Sequence, residues 1–196
     1  MPGGTSINIT ESLSCIIDHV VSSSTKLGHI NMKRVLVCVG SNRVRSRGGT
    51  YGKLVPLRFM NGHDVAVFNG KRYAIPHMFH NNERILYLIY FYMPKFFDLP
   101  PFEKLKVIFH ELFHISPQFN GDIRRMGNVK STHGFSKKHY DSQFFDELSS
   151  FHETVRNSDI YRILEMDSIM LHRSFKKVYA RRVPMPRPVL METQRS

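Results

Sequence analysis

The sequence has few cysteines, no long apolar run and no visible export signal. Its two cysteines, Cys15 and Cys38, lack the paired spacing of a disulfide framework or of a thiolate zinc site. No apolar run reaches the roughly 20 residues that span a bilayer, and Ile85–Met93 falls well short of that length. The N-terminus lacks the basic and apolar regions of a secretory signal peptide. We therefore expect a cytoplasmic protein without a membrane partner.

Acidic residues are also scarce relative to basic ones. The chain has 16 Asp and Glu against 28 Lys and Arg, which gives a formal net charge of +12. The basic residues form three clusters: 43–47, 124–125 together with 137–138, and the tail after residue 173. Such clusters suit a phosphate backbone or an acidic protein, although scattered solvated lysine and arginine is the ordinary alternative. Nucleic acid is therefore a candidate partner.

Length and composition favour one compact α+β domain over residues 1–196. A hydrophobic content of 41% is normal for a globular chain, and 196 residues can bury a sizeable core. The pattern divides the domain into an N-terminal helix within 1–28, mainly strands over 29–92, a helical part over 100–172, and a basic, proline-rich tail over 173–196.

Hydrophobic periodicity places the elements more finely. It predicts helices at 11–22, 101–115, from Ser136 to about 155, and 160–171. It predicts strands at 34–39, 50–60, 64–68 and 85–92, with a turn at Asn61-Gly62. The aromatic and β-branched run at 85–92 favours a strand, but periodicity alone leaves a buried helix open there.

The sequence His-Glu-Leu-Phe-His at 110–114 is the motif with the clearest chemistry. Residues four apart lie on one face of a helix, so His110 and His114 can turn two imidazole nitrogens to one metal ion. Glu111 follows about 100° round the helix, where it can act on a water without being a ligand. This is the HExxH pattern of zinc enzymes: two neutral nitrogen donors with a general base beside them.

The surroundings of the motif argue against a surface helix with two exposed imidazoles. Apolar residues recur at core spacing through it: Leu105, Ile108, Phe109, Leu112 and Ile115. Burying polar side chains against such an element is costly unless partners satisfy them, and a metal ion supplies partners. Pro101 suits the first turn of this helix, and Pro117 should end it.

A catalytic zinc site usually needs a third protein ligand. His133 is the best-placed candidate, because it precedes Gly134 and the Ser136 N-cap, where the chain can return toward the first helix. The alternatives are His139, Asp141 and Glu147 on the second helix. Glu147 is a strong one, since a glutamate on a second helix serves this purpose in another class of zinc peptidases.

The segments 110–117, 121–125 and 133–141, with weaker likeness over 29–47, resemble the phage-type metallopeptidase family and, more distantly, SprT-like zinc proteases. The resemblance implies a small zincin-like domain in which a mixed or antiparallel sheet packs on the HExxH helix and on a second ligand-bearing helical segment. It implies Zn²⁺ bound by His110, His114 and His133, with Glu111 as the general base.

The first hypothesis is therefore a zinc metallopeptidase that acts on a protein or peptide substrate. Tyr140 or His139 could donate a hydrogen bond in the transition state, and Asp122 or Asp141 could orient a ligand imidazole. A core aromatic role is the plainer reading of Tyr140. The alternative is a nucleic-acid-binding protein, including a DNA-associated protease, whose metal site is structural or vestigial. A metal hydrolase for another bond is a third reading, because the motif does not name the bond cleaved.

Overall fold

A computed structural model of the chain describes residues 5–41, 50–126 and 136–191. Helices and strands are mixed along this part of the chain, which confirms the α+β class. The helices are α1 Ile9–Ser23, α2 Pro101–Phe113, α3 Lys137–Ser142, α4 Phe145–Val155, α5 Asp159–Glu165 and α6 Ser168–Ser174. The strands are β1 Ser6–Asn8, β2 Val35–Ser41, β3 Gly52–Pro56, β4 Val65–Phe68, β5 Lys71–Ala74, β6 Phe79–His80, β7 Glu83–Arg84, β8 Tyr87–Met93, β9 Lys177–Tyr179 and β10 Val189–Leu190. None of these helices has the length and apolar character needed to cross a membrane.

The main sheet has three strands in the order β2-β8-β3. Strand β8 pairs parallel with β2 and antiparallel with β3, so the sheet is mixed. The predicted strand at 85–92 is confirmed, and the helical alternative is wrong. Side chains on both faces of β8 are buried from Tyr87 to Phe91, which explains why its sequence reads as a continuous apolar run rather than an alternation.

A second, smaller sheet has the order β10-β5-β4. Its hairpin turns at Asn69-Gly70, where both residues have positive φ, as the favoured two-residue hairpin turn requires. Asn61-Gly62 is also a turn with two positive φ values, as predicted, but it lies in a 3-10 segment. It does not join paired strands, because β3 pairs with β8 and β4 pairs with β5.

Helix α1 confirms the predicted N-terminal helix and begins two residues earlier than expected. The Asn8 side chain caps it by accepting from the backbone N–H of Thr10 and of Glu11. Just before it, β1 pairs parallel with β9 from the basic tail. The tail is extended as predicted, and it contributes strands to two different sheets.

Two predicted helices are each broken into a pair. The helix expected from Ser136 to about 155 is α3 followed by α4, because Phe144 leaves the helical region with φ −123° and ψ 5°. The helix expected at 160–171 is α5 followed by α6, with Asp167 as an N-cap that accepts from the backbone N–H of Met170. The capping serine at 136 is confirmed, since its hydroxyl accepts from the backbone N–H of His139 at 3.1 Å.

Helix α2 lies between the main sheet and the C-terminal helices, where it contacts β3, α4 and α5. Its apolar side is fully buried in the principal core, as the spacing predicts, and the buried residues are Leu105, Ile108, Phe109 and Leu112. It ends at Phe113, earlier than Pro117 would require, because Ile115 already forms a backbone bridge with Ile123. The last turn of α2 therefore faces β3 on one side and α3 on the other.

Candidate metal centre

His110 and His114 are brought together at the C-terminal end of α2. Their Nε2 atoms lie 3.2 Å apart, and their rings are nearly perpendicular. Two imidazole nitrogens on a tetrahedral zinc ion, each about 2.05 Å from it, are separated by about 3.3 Å. The spacing of the two donors therefore fits a shared metal ion. His110 is buried, with 8% of its surface exposed.

The opposite nitrogen of each ring is held by a residue of α3. The Nδ1–H of His110 donates to Asp141 Oδ1 at 2.7 Å, because a carboxylate only accepts. The Nδ1 of His114 lies 2.9 Å from the Tyr140 hydroxyl. Two consecutive residues of one short helix thus orient both imidazoles and direct Nε2 of each ring to the same point, as outer partners do in histidine metal sites.

Asp141 is itself enclosed by positive charge. Lys137 donates to its second oxygen, Oδ2, at 3.0 Å, and the Lys106 ammonium lies 4.0 Å from the same atom. Burial by itself raises the pKa of Asp141, but the hydrogen bonds from His110 and Lys137 outweigh it and hold the pKa below its ordinary value. The group therefore stays a carboxylate, which favours the Nδ1–H tautomer of His110.

Tyr140 is fully buried and serves both the core and the site. Its ring packs on Phe113 and stacks against His114 at 4.8 Å between centroids. Burial raises the pKa of its hydroxyl. Because that hydroxyl lies beside His114 Nδ1, away from the paired Nε2 atoms, the geometry favours an orienting role for Tyr140 over donation to a transition state.

Glu111 projects from α2 toward the edge strand of the main sheet. Its Oε2 accepts from the backbone N–H of Leu54 at 2.8 Å, and burial raises the pKa of its carboxyl to about 7. A Cβ on Gly52 would lie only 2.8 Å from Glu111 Cγ and 2.9 Å from Val107 Cγ1. Glycine at position 52 therefore lets β3 approach α2 closely enough to hold the carboxylate.

A cleft of about 660 Å³ separates β3 from α2 and contains all three motif side chains. Its floor is formed by His110, Glu111 and His114. The other lining side chains are apolar (Tyr51, Leu54, Leu99, Val107 and Ile123) or polar and charged (Thr50, Lys53, Glu103, Lys106 and Lys137). The pair of imidazoles is thus reachable from a groove that runs along an edge strand.

The predicted third ligand lies outside the described residues, since 127–135 include His133. Within the described ranges, no group of three or more His, Cys, Asp or Glu is arranged to hold a metal ion. Glu147 accepts from the hydroxyls of Ser24 and Thr25 on the α1 side. Asp141 sits on His110 Nδ1. Glu147 and Asp141 therefore both face away from the meeting point of the two Nε2 atoms.

The hydrogen bonds described for the Asp122 carboxylate go to groups other than the two imidazoles. Its carboxylate accepts from the backbone N–H of Asn61 and of Ile123 and pairs with Arg125 at 3.0 Å. The expected role of orienting a ligand therefore falls to Asp141, while Asp122 secures the loop after α2. Arg124 caps the C-terminal end of α2, because its Nε–H donates to Phe113 O at 2.6 Å.

The two cysteines lie apart from the motif, which weighs against a closed structural zinc site. Cys38 belongs to the apolar cluster on the far face of the main sheet, and burial raises the pKa of its thiol to about 11. Cys15 is exposed on α1, with Sγ 3.8 Å from His19 Nδ1. Neither thiolate is available to complete a four-ligand set with the two histidines.

The basic cluster at 43–47 lies outside the described residues. From sequence, Lys137 belongs to a basic cluster and Lys106 has no assigned role, although a lysine four residues before Asp141 is a readable signal for a helical ion pair. Comparisons of this chain with protein-family models, with curated proteins and with solved structures found no match.

Proposed function

We propose that this chain is a zinc-dependent peptidase with a zincin-like arrangement, of the phage-type class that its motifs resemble. The observation that carries the proposal is the convergence of His110 and His114 Nε2 at 3.2 Å, with both Nδ1 atoms held by α3. Burying polar side chains beside a core helix is unfavourable unless they have partners. The spacing of the two Nε2 atoms fits an ion of the size and preferred geometry of Zn²⁺.

His110, His114 and His133 would hold the ion, and Glu111 stands beside them. When bound, zinc lowers the pKa of a water and polarises a carbonyl oxygen. Glu111 accepts the proton of the attacking water and passes it to the leaving amine. The Leu54 N–H fixes Glu111 Oε2 at 2.8 Å, so the carboxylate keeps one orientation while it gains and loses the proton.

Substrate binding is expected along β3. Among the described strands, β3 pairs only with β8, so it forms an edge of the sheet beside the cleft. The Leu54 N–H points away from β8 toward Glu111, and backbone groups of Gly52, two residues earlier, face the same way. An extended peptide could pair with this edge, which needs only main-chain hydrogen bonds and fits a protein substrate.

Two substitutions separate metal binding from catalysis. Glu111→Gln should keep about one zinc per chain and lower the rate of peptide hydrolysis by about 10²–10⁴-fold, because it removes the proton acceptor. His110→Ala should lose both zinc and activity. Metal analysis of purified protein and hydrolysis of an unstructured protein substrate such as casein measure the two effects.

His133→Ala and Glu147→Ala decide the third ligand. We expect His133→Ala to lose zinc and Glu147→Ala to retain it. Full activity of Glu111→Gln would contradict the peptidase mechanism. Zinc retained by His110→Ala would contradict the metal site itself, and zinc binding without hydrolysis of any peptide would favour a different substrate bond or a vestigial site.

A further inference from the structure

The small sheet β10-β5-β4 exposes apolar side chains on both faces. Val67 on β4 is 69% exposed and Phe68 is 66% exposed, and on β10 Val189 is 50% and Leu190 53% exposed. Single exposed apolar residues are common on soluble proteins, but several of them on one small sheet mark a candidate binding surface. Strands β4, β5 and β10 are called the ribbon below.

Each face of the ribbon also carries a cation beside an apolar side chain. The register pairs Phe68 with Lys71 and Val67 with Arg72, and directly paired residues share a face. Both Lys71 and Arg72 are exposed. The apolar and positive groups are thus interleaved on both faces, not sorted onto opposite ones.

No acidic residue interrupts this surface. The sequence has no Asp or Glu between Asp64 and Glu83, which spans the whole β4–β5 hairpin. It also has none between Ser168 and Met191, the segment that leads through β9 into β10, although this segment has six Lys and Arg. The β4–β5 hairpin and residues 168–191 therefore contribute positive charge and no carboxylate side chain to this surface.

We propose that the ribbon binds nucleic acid on the face that carries Phe68 and Lys71, with Lys71 on a phosphate and Phe68 against a base. Neutralising phosphates supplies most of the affinity in such complexes, and an exposed aromatic ring stacks on any base. A second copy of this chain is disfavoured as occupant, because two acid-free cationic ribbons repel each other. A bilayer surface is disfavoured because membrane-binding elements separate apolar and charged residues onto opposite faces.

Fluorescence anisotropy with a labelled 20-nucleotide single-stranded DNA tests this, with the duplex of the same sequence as a second arm. Lys71→Gln should weaken binding about fivefold near 0.1 M salt and reduce the salt slope by about 0.7 for single strands. The matched control Arg72→Gln removes an exposed positive charge from the opposite face of the same hairpin and should weaken binding less than twofold.

Phe68→Ala separates stacking from charge. It should weaken binding to the oligonucleotide about fivefold or more and leave binding to inorganic polyphosphate unchanged, because polyphosphate has no bases. Since Phe68 is two-thirds exposed, the variant should fold normally, which circular dichroism verifies. Binding should also persist in EDTA and in Glu111→Gln, so this proposal and the peptidase proposal can fail separately.

Three results would overturn the proposal. Equal loss in Lys71→Gln and Arg72→Gln would mean that diffuse positive charge, not the face with Phe68, binds DNA. No loss in Phe68→Ala would remove the base contact. Ribbon variants that lose binding to vesicles containing phosphatidylserine, while their DNA affinity stays unchanged, would assign the surface to a membrane.

Discussion

At the residue scale, the close approach of β3 to α2 depends on position 52 having no side chain. Gly52→Ala would place a methyl group 2.8 Å from Glu111 Cγ and 2.9 Å from Val107 Cγ1. We expect β3 or Glu111 to shift, which would break the 2.8 Å bond to Leu54. Peptide hydrolysis should fall about tenfold or more, because a displaced catalytic group can cost up to about 10²-fold, while zinc content should stay constant.

Gly28→Ala, at an exposed position outside the cleft, is the control for the added methyl group. It should leave hydrolysis within about twofold of the wild type, in line with the small effects of ordinary surface substitutions. If Gly52→Ala were as active as this control, Glu111 would not depend on the strand for its position.

Asp141 provides a second residue-scale prediction. Asp141→Asn keeps the size of the side chain but removes the charge that favours the Nδ1–H tautomer of His110. Zinc affinity should fall about 10–100-fold, as it does when an outer partner of a metal ligand is lost. Competition with a zinc chelator measures it. Asp122→Asn is the matched control, and an equal loss there would contradict the assignment of Asp141.

At the element scale, the C-terminal end of α5 is capped by Lys104, a buried lysine of α2. The Lys104 ammonium donates to Leu164 O at 2.6 Å and to Met166 O at 2.8 Å. Those carbonyls would otherwise lack partners at a helix end. This contact and the Asp167 cap together explain why α5 and α6 are separate helices, although their apolar spacing is continuous.

Burial lowers the pKa of Lys104 from 10.5 to about 8. Between these values the unfolded chain binds more protons than the folded one, so this group makes the free energy of unfolding increase with pH from about 8 to 10. Lys104→Met should lose that increase. Urea unfolding of both proteins across this pH range measures the difference, and identical pH slopes would contradict it. Comparing the two proteins cancels the contributions of Cys38 and the tyrosines.

The elements that sequence predicts well are those fixed by local pattern. The HExxH helix, the capping serine at 136 and the strand at 85–92 follow from periodicity and capping chemistry, and all three are confirmed. The broken helices were missed because tertiary contacts break them. Asp141 and Asp122 were equivalent candidates in sequence, since only the folded chain shows that one lies on His110 and the other on Arg125.

At the scale of the whole molecule, the candidate metal centre joins α2 to α3, and through His133 it would also hold the segment between them. Zinc that binds only the folded chain should raise its stability by about 2.7 kcal/mol at a free concentration 100 times Kd. For a chain of this length that is a rise in Tm of about 5–10 °C. Differential scanning calorimetry with zinc and with EDTA tests this, and His110→Ala should show no difference between the two.

Strand β1 pairs with β9, which lies near the other end of the described chain. Close by, the backbone N–H of Arg181 donates to Thr10 Oγ1 across 171 residues of sequence. During synthesis, β1 and α1 emerge long before β9 exists. A ribosome that stalls after α6 would therefore release a product whose first strand has no neighbour, and an unpaired edge of this kind is a template for aggregation.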